Sequence, residues 1–142
     1  MEQENGDLLF VYGLLLEGFE NEVSELIRSN TEVVDAGYVF GDMYDAGGYP
    51  GLIVSDRNTA HKVFGKVLRI TKEVASTLAA LDYFECIGPH HEPPYQYQRE
   101  MIKFHGQSSN MDCWVYLYNW SVEGLVQIPS GDFKSYYEEV YR

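Results

Sequence analysis

Two hydrophobic rhythms alternate along the chain. Leu8–Tyr12 is an uninterrupted apolar run that reads as a strand entering a core, whereas Phe19, Val23, Leu26 and Ile27 recur at helical spacing. Asn21 is a plausible cap there, so a helix is predicted over Glu22–Ser29. From Thr31 to Tyr44 β-branched and aromatic residues dominate, punctuated by Gly37 and Gly41, which predicts a long bent strand or a hairpin. The stretch 45–51, DAGGYPG, is a loop by composition. Leu52–Ser55 and Val63–Ile70 read as strands joined by a polar turn containing Arg57, Asn58 and Thr59. Thr71 caps a predicted helix from Lys72 to about Glu85, and a loop with Gly88, Pro89, Pro93 and Pro94 follows. Tyr97–Phe104 and Met111–Tyr118 are two further strands about a turn at Gly106–Asn110. Phe133, Tyr136, Tyr137 and Val140 then follow helical spacing, predicting a last helix docked on the body. About six strands and about three helices in mixed order, without regular β-α-β alternation, define an α+β fold with a small curled sheet or mixed β-barrel.

Composition narrows the possibilities. No internal repeat or linker is visible, and 142 residues suit a single domain over 1–142. Apolar residues make up 45% and aromatics 15%, enough for a real core, and twelve tyrosines against seven phenylalanines favour rings with polar tips. The net charge of −12 leaves no basic patch for nucleic acid and disfavours an anionic membrane surface. Glu2, Glu4 and Asp7 stand where a targeting signal would be basic, and the apolar run Leu8–Leu16 is too short to span a bilayer. A soluble, cytoplasmic protein is the expectation. Cys86 and Cys113 are too few for a disulfide framework and read as small buried hydrophobes.

Candidate chemistry lies in two stretches. In FVYGLLLEGF, residues 10–19, Gly13 interrupts an apolar run with the residue that contributes no side chain. In LDYFEC, residues 81–86, Glu85 follows Val74 by eleven positions, which places it within roughly 20° of the apolar face of the helix if the helix persists that far. Burial and the negative end of the helix dipole would both raise its pKa towards neutrality. From spacing alone, a solvated rim glutamate and a functional one both stand. Asp82 falls about 80° off that line and reads as a flank residue or a local loop partner. Arg99 would hold a carboxylate or form a structural ion pair, and Tyr116 and Tyr118 share a strand face that lines a pocket or packs the core. Tyr49-Pro50-Gly51 shapes a pocket mouth or is simply a turn. His90, His91 and Glu92 read as solvated loop, with no metal expected.

Together these stretches resemble the γ-glutamylcyclotransferase-like family, which includes γ-glutamylamine cyclotransferases. The family's strand followed by Tyr-Gly-Ser/Thr-Leu is matched by Tyr12, Gly13, Leu14 and Leu15. Its Leu-Asp-x-Phe/Tyr-Glu-Gly motif is matched by Leu81, Asp82, Phe84 and Glu85, with Cys86 in the glycine place. Gly41-Asp42-Met43-Tyr44, Tyr49-Pro50-Gly51, Phe64-Gly65-Lys66-Val67, Tyr97-Gln98-Arg99, Trp114-Val115-Tyr116 and Ile128-Pro129-Ser130-Gly131-Asp132-Phe133 extend the similarity, in order, over nearly the whole chain. The resemblance implies a small β-barrel flanked by helices, with Glu85 as catalytic acid/base and Tyr12, Gly13, Leu14 and Leu15 as the substrate-binding turn. It also implies a small γ-glutamyl substrate that closes on itself to 5-oxoproline, without metal, redox cofactor or covalent intermediate. Leu14 replaces the usual hydroxyl residue and Leu16 stands where a basic residue is frequent. Those departures keep open the alternative of an inactive member of the fold that binds a small molecule or a protein.

Overall fold

The computed structural model describes residues 7–13, 21–54, 61–85, 87 and 92–141. Eight strands and three helices occur among them: β1 (Leu8–Val11), α1 (Ser24–Asn30), β2 (Thr31–Phe40), β3 (Asp42–Asp45), β4 (Pro50–Ile53), β5 (Lys62–Ile70), α2 (Val74–Phe84), β6 (Tyr97–Gly106), β7 (Asn110–Tyr118), β8 (Val126–Gln127) and α3 (Phe133–Val140). Five of the strands close a barrel in the order β1-β5-β2-β6-β7, and the other three form a sheet in the order β4-β3-β8. This is the α+β fold with a small barrel that the pattern predicts.

The apolar run of β1 follows from its place. Leu8 and Phe10 point with Tyr12 into a core with Val39, Val67, Phe104 and Val115, while Leu9 and Val11 point the other way, to Leu81, Tyr97 and Tyr116. A strand buried on both faces needs no polar alternation. β1 runs antiparallel to β5 and meets β7 in parallel through Leu9 and Trp114, which closes the barrel. The predicted bent strand over Thr31–Tyr44 is two strands: β2 stays in the barrel, and after Gly41 the chain enters β3 of the second sheet. β3 pairs with β4 as a hairpin, so DAGGYPG contributes its last residues to a strand and only 46–49 to the turn. β8 is too short to register as a strand by periodicity.

Both predicted caps are displaced. α1 begins at Ser24 rather than Glu22, and Val23 takes the cap position without a side-chain bond. The Asn21 side chain instead accepts from Val23 N–H at 3.1 Å, inside the preceding turn. α2 begins at Val74 after Glu73, which has φ 49 and no capping side chain. Thr71 is held by a distant partner: its N–H and hydroxyl both donate to Asn30 O, at 2.7 and 3.2 Å. Thr77 completes the join, accepting from Asn30 Nδ2 at 2.9 Å. The start of α2 is therefore tied to the end of α1, and Leu78 and Leu81 are buried on the predicted face. In α3, Asp132 is the cap, accepting from Ser135 N–H at 3.1 Å, and Phe133 is buried. Val140, on the same predicted stripe, is exposed.

Phe104 is fully buried with its ring centroid 5.5 Å from that of Phe10. Phe104→Ala is expected to lower unfolding free energy by about 3–5 kcal/mol in urea titrations, through the cavity it leaves.

Candidate active site

A cavity of about 290 Å³ opens where the end of β1, the β3–β4 hairpin, the end of α2, the start of β6 and the end of β7 converge. Phe10 and Val11 line it from β1 and Tyr12 and Gly13 just after it, Tyr49 and Pro50 from the hairpin, and Phe84 and Glu85 from the end of α2 and the residue past it. Gln96, Tyr97 and Tyr116 complete the wall.

Gly13 answers to close packing. A methyl group at its Cα would lie 2.3 Å from Pro50 Cγ, so the proline ring occupies the space of a side chain. The Tyr97 hydroxyl donates to Pro50 O at 2.6 Å and fixes the same residue from the barrel side. The hairpin turn itself is shaped by Gly47 and Gly48, with φ of 116° and 98°, a region that favours glycine. Asp45 Oδ1 accepts from the amides of both, at 2.9 and 2.8 Å. Its Oδ2 accepts from the Tyr136 and Tyr141 hydroxyls at 2.7 and 2.6 Å. Burial opposes the Asp45 charge, but these bonds more than offset it and hold the carboxyl down to about 2. At the mouth, Gln96 Nε2 donates to Tyr49 Oη at 2.8 Å and bridges hairpin to barrel.

Glu85 stands one residue past the helix rather than in its last turn, with its N–H donating to Leu81 O at 2.9 Å. It still reaches the cavity. Burial, and next the charge of Asp82, push its carboxyl up to about 8. Asp82 is more than a flank residue: it accepts from Arg99 Nε at 2.8 Å, Arg99 Nη2 at 3.1 Å and the Tyr116 hydroxyl at 2.7 Å. The Arg99 guanidinium also lies 4.4 Å from the centre of the Trp114 ring. Arg99 is thus in the ion pair that was one of its two readings. Of the paired tyrosines, Tyr116 lines the cavity while Tyr118 packs edge-on to Tyr97 at 5.5 Å.

Three of the four cavity tyrosines are held in place by their own protons, while Tyr49 accepts from Gln96. Tyr12 donates to Tyr116 O, Tyr97 to Pro50 O and Tyr116 to Asp82. Burial pushes all three phenols well up, so they stay protonated across the working range.

The structure brings Glu85, Tyr12 and Gly13 together around one cavity. Leu14, Leu15, Leu16, Cys86, His90 and His91 lie outside the described residues, as does the polar turn at Arg57–Thr59. Cys113 is buried in the core and its thiol is pushed up to about 12, chiefly by burial. Among the described residues no three His, Cys, Asp or Glu side chains gather as for a metal ion. No helix among them is long and apolar enough to cross a membrane. Gln96 escaped the sequence reading: a lone glutamine after a proline-rich loop carries no local signal.

The sequence profile described as gamma-glutamyl cyclotransferase, AIG2-like, matches residues 9–135, and the chain belongs to that family. Among solved structures, YkqA from Bacillus subtilis superposes with a TM-score of 0.68 at 20% identity, over 92% of this chain and 40% of that one. This chain therefore spans less than half of YkqA. The protein ytfP from Escherichia coli matches with a TM-score of 0.61 at 28% identity, covering 88% of this chain and 94% of that one. An AIG2-like protein from mouse matches with a TM-score of 0.62 at 23% identity, over 89% and 88% of the two chains. No curated protein sequence matches significantly.

Two outcomes follow from this geometry. Gly13→Ala must displace the Pro50 ring and is expected to cost about 1–3 kcal/mol in thermal or urea unfolding. Glu85 has its folded pKa raised, to about 8. Between its unfolded value and about 8 the folded state keeps a proton that the unfolded chain has released, so stability falls as pH rises through that window. Glu85→Gln lacks this term. Relative to the parent it is expected to gain about 1–3 kcal/mol between pH 5 and pH 8 in calorimetric melts.

Proposed function

We propose that the protein is a γ-glutamyl cyclotransferase, releasing 5-oxoproline and a free amine or amino acid from a γ-glutamyl substrate. The observation that carries this reading is the Glu85 carboxyl, poised near neutrality at the wall of the cavity that Tyr12 and Gly13 also line. Family membership supports the class of reaction.

The substrate's α-amine attacks its own γ-carbonyl carbon. A ring C–N bond forms, the bond to the departing nitrogen breaks, and no outside reactant is consumed. Because both reacting groups belong to one molecule, a cavity that holds the folded-back conformer supplies much of the rate by orientation. Glu85 takes the amine proton and returns it to the departing nitrogen, a task for a carboxyl whose pKa lies near the working pH. Charge developing on the carbonyl oxygen needs hydrogen-bond donors. The phenol protons of Tyr12, Tyr97 and Tyr116 are used inside the protein, and we assign that role, as the family resemblance implies, to backbone N–H groups of Tyr12, Gly13, Leu14 and Leu15.

Incubation with a panel of γ-glutamyl amino acids, γ-glutamyl amines and glutathione is expected to release 5-oxoproline from at least one of them. The acid limb of kcat/KM is expected near pH 8, and Glu85→Gln is expected to lose at least about 100-fold in kcat. A Glu85→Gln variant as active as the parent would sink the assignment. Leu14, in place of a hydroxyl residue, favours a second reading as a binding domain without turnover. Binding of γ-glutamyl compounds without any 5-oxoproline would establish that reading instead.

A further inference from the structure

Asp82 and Glu85 are carboxyls three residues apart at the end of α2, and their surroundings differ sharply. Asp82 accepts three hydrogen bonds from Arg99 and Tyr116, whereas Glu85 faces the cavity. An ion pair that merely braced α2 against the barrel could sit anywhere along the helix. This one lies one turn from Glu85, and Tyr116 belongs both to it and to the cavity wall.

Among the described residues, the titratable groups around Glu85 are Asp82 from α2, Tyr12 after β1, Tyr49 from the hairpin, Tyr97 from β6 and Tyr116 from β7, with Arg99 from β6 bound to the far side of Asp82. Burial keeps the Tyr12, Tyr97 and Tyr116 phenols protonated. Burial works against the Arg99 charge, but the Asp82 hydrogen bonds outweigh it and hold the guanidinium charged. Asp82 and Arg99 form an ion pair one turn from Glu85, and partial burial leaves it poorly screened.

We propose that Asp82 and Arg99 are an opposed pair of positioning residues that set the proton affinity of Glu85, Asp82 keeping the proton on and Arg99 limiting how tightly. The functional meaning of this inference rests on the cyclotransferase reading; its test does not. The Glu85 carboxyl carbon is to be titrated by NMR in glutamate-labelled protein, its resonance identified by its loss in Glu85→Gln. The pH profile of 5-oxoproline release is recorded for the same variants.

Asp82→Asn keeps an oxygen for Arg99 and Tyr116 but removes the charge, and is expected to lower the Glu85 midpoint by about one pH unit. Arg99→Gln is expected to raise it, and Arg99→Lys, which keeps the charge but not the fork, to leave it near the parent's. An unmoved or raised midpoint in Asp82→Asn overturns the proposal. So does a lowered midpoint in Arg99→Gln, or a lysine variant that follows glutamine rather than the parent. Should Asp82→Asn fail to fold, the two Arg99 variants decide by the same criteria. Midpoints that move as stated in a protein releasing no 5-oxoproline leave this proposal standing and remove the cyclotransferase reading. Turnover with unmoved midpoints does the reverse.

Discussion

The approach of Pro50 to the backbone of Gly13 is the contact on which the cavity depends. It joins the second sheet to the end of β1, and it exists because position 13 has no side chain to stand in the way. The Tyr97 hydroxyl on Pro50 O fixes the same point from the other side. With the hairpin seated there, the barrel strands and the end of α2 enclose a space that none of them would enclose alone. A buried, hydrogen-bonded seat of this kind is preorganised, which suits the intramolecular ring closure proposed for it.

Electrostatics divides the carboxylates by their partners. Asp45 gathers four donors and keeps its charge far into acid, while Glu85 has burial and a like-charged neighbour and holds its proton towards neutrality. The difference arises from geometry, since both begin as ordinary carboxylic acids. A group used for structure is surrounded by donors. Glu85, proposed for proton transfer, accepts no such set of donors among the described residues and is kept largely away from water.

Much of the fold was legible because its elements carry strong local patterns. β1, β5, β6, β7 and the core face of α2 sit where periodicity places them. The errors fall where a local rule met a distant partner. Thr71 has the chemistry of a cap, yet its hydroxyl serves Asn30, more than forty residues away in the chain. Gly13 reads locally only as a break in an apolar run, and the room it leaves is filled by Pro50 from a distant hairpin. Asp82 was placed on a flank by helical geometry, which says nothing of Arg99 arriving on another strand. Glu85, in contrast, was traceable, because the helical phase that buries Leu81 carries one residue beyond the helix end.

Asp45 has a mechanical side as well. One carboxylate grips the glycine turn of the hairpin through one oxygen and the tyrosines of α3 and its exit through the other. Tyr49 follows that turn directly, so the rim of the cavity and the last described helix form one lever. Asp45 and the shared core of Phe133 with Met43 and Leu52 both tie α3 to the hairpin, so the rim is the property of two elements rather than of the hairpin that displays it.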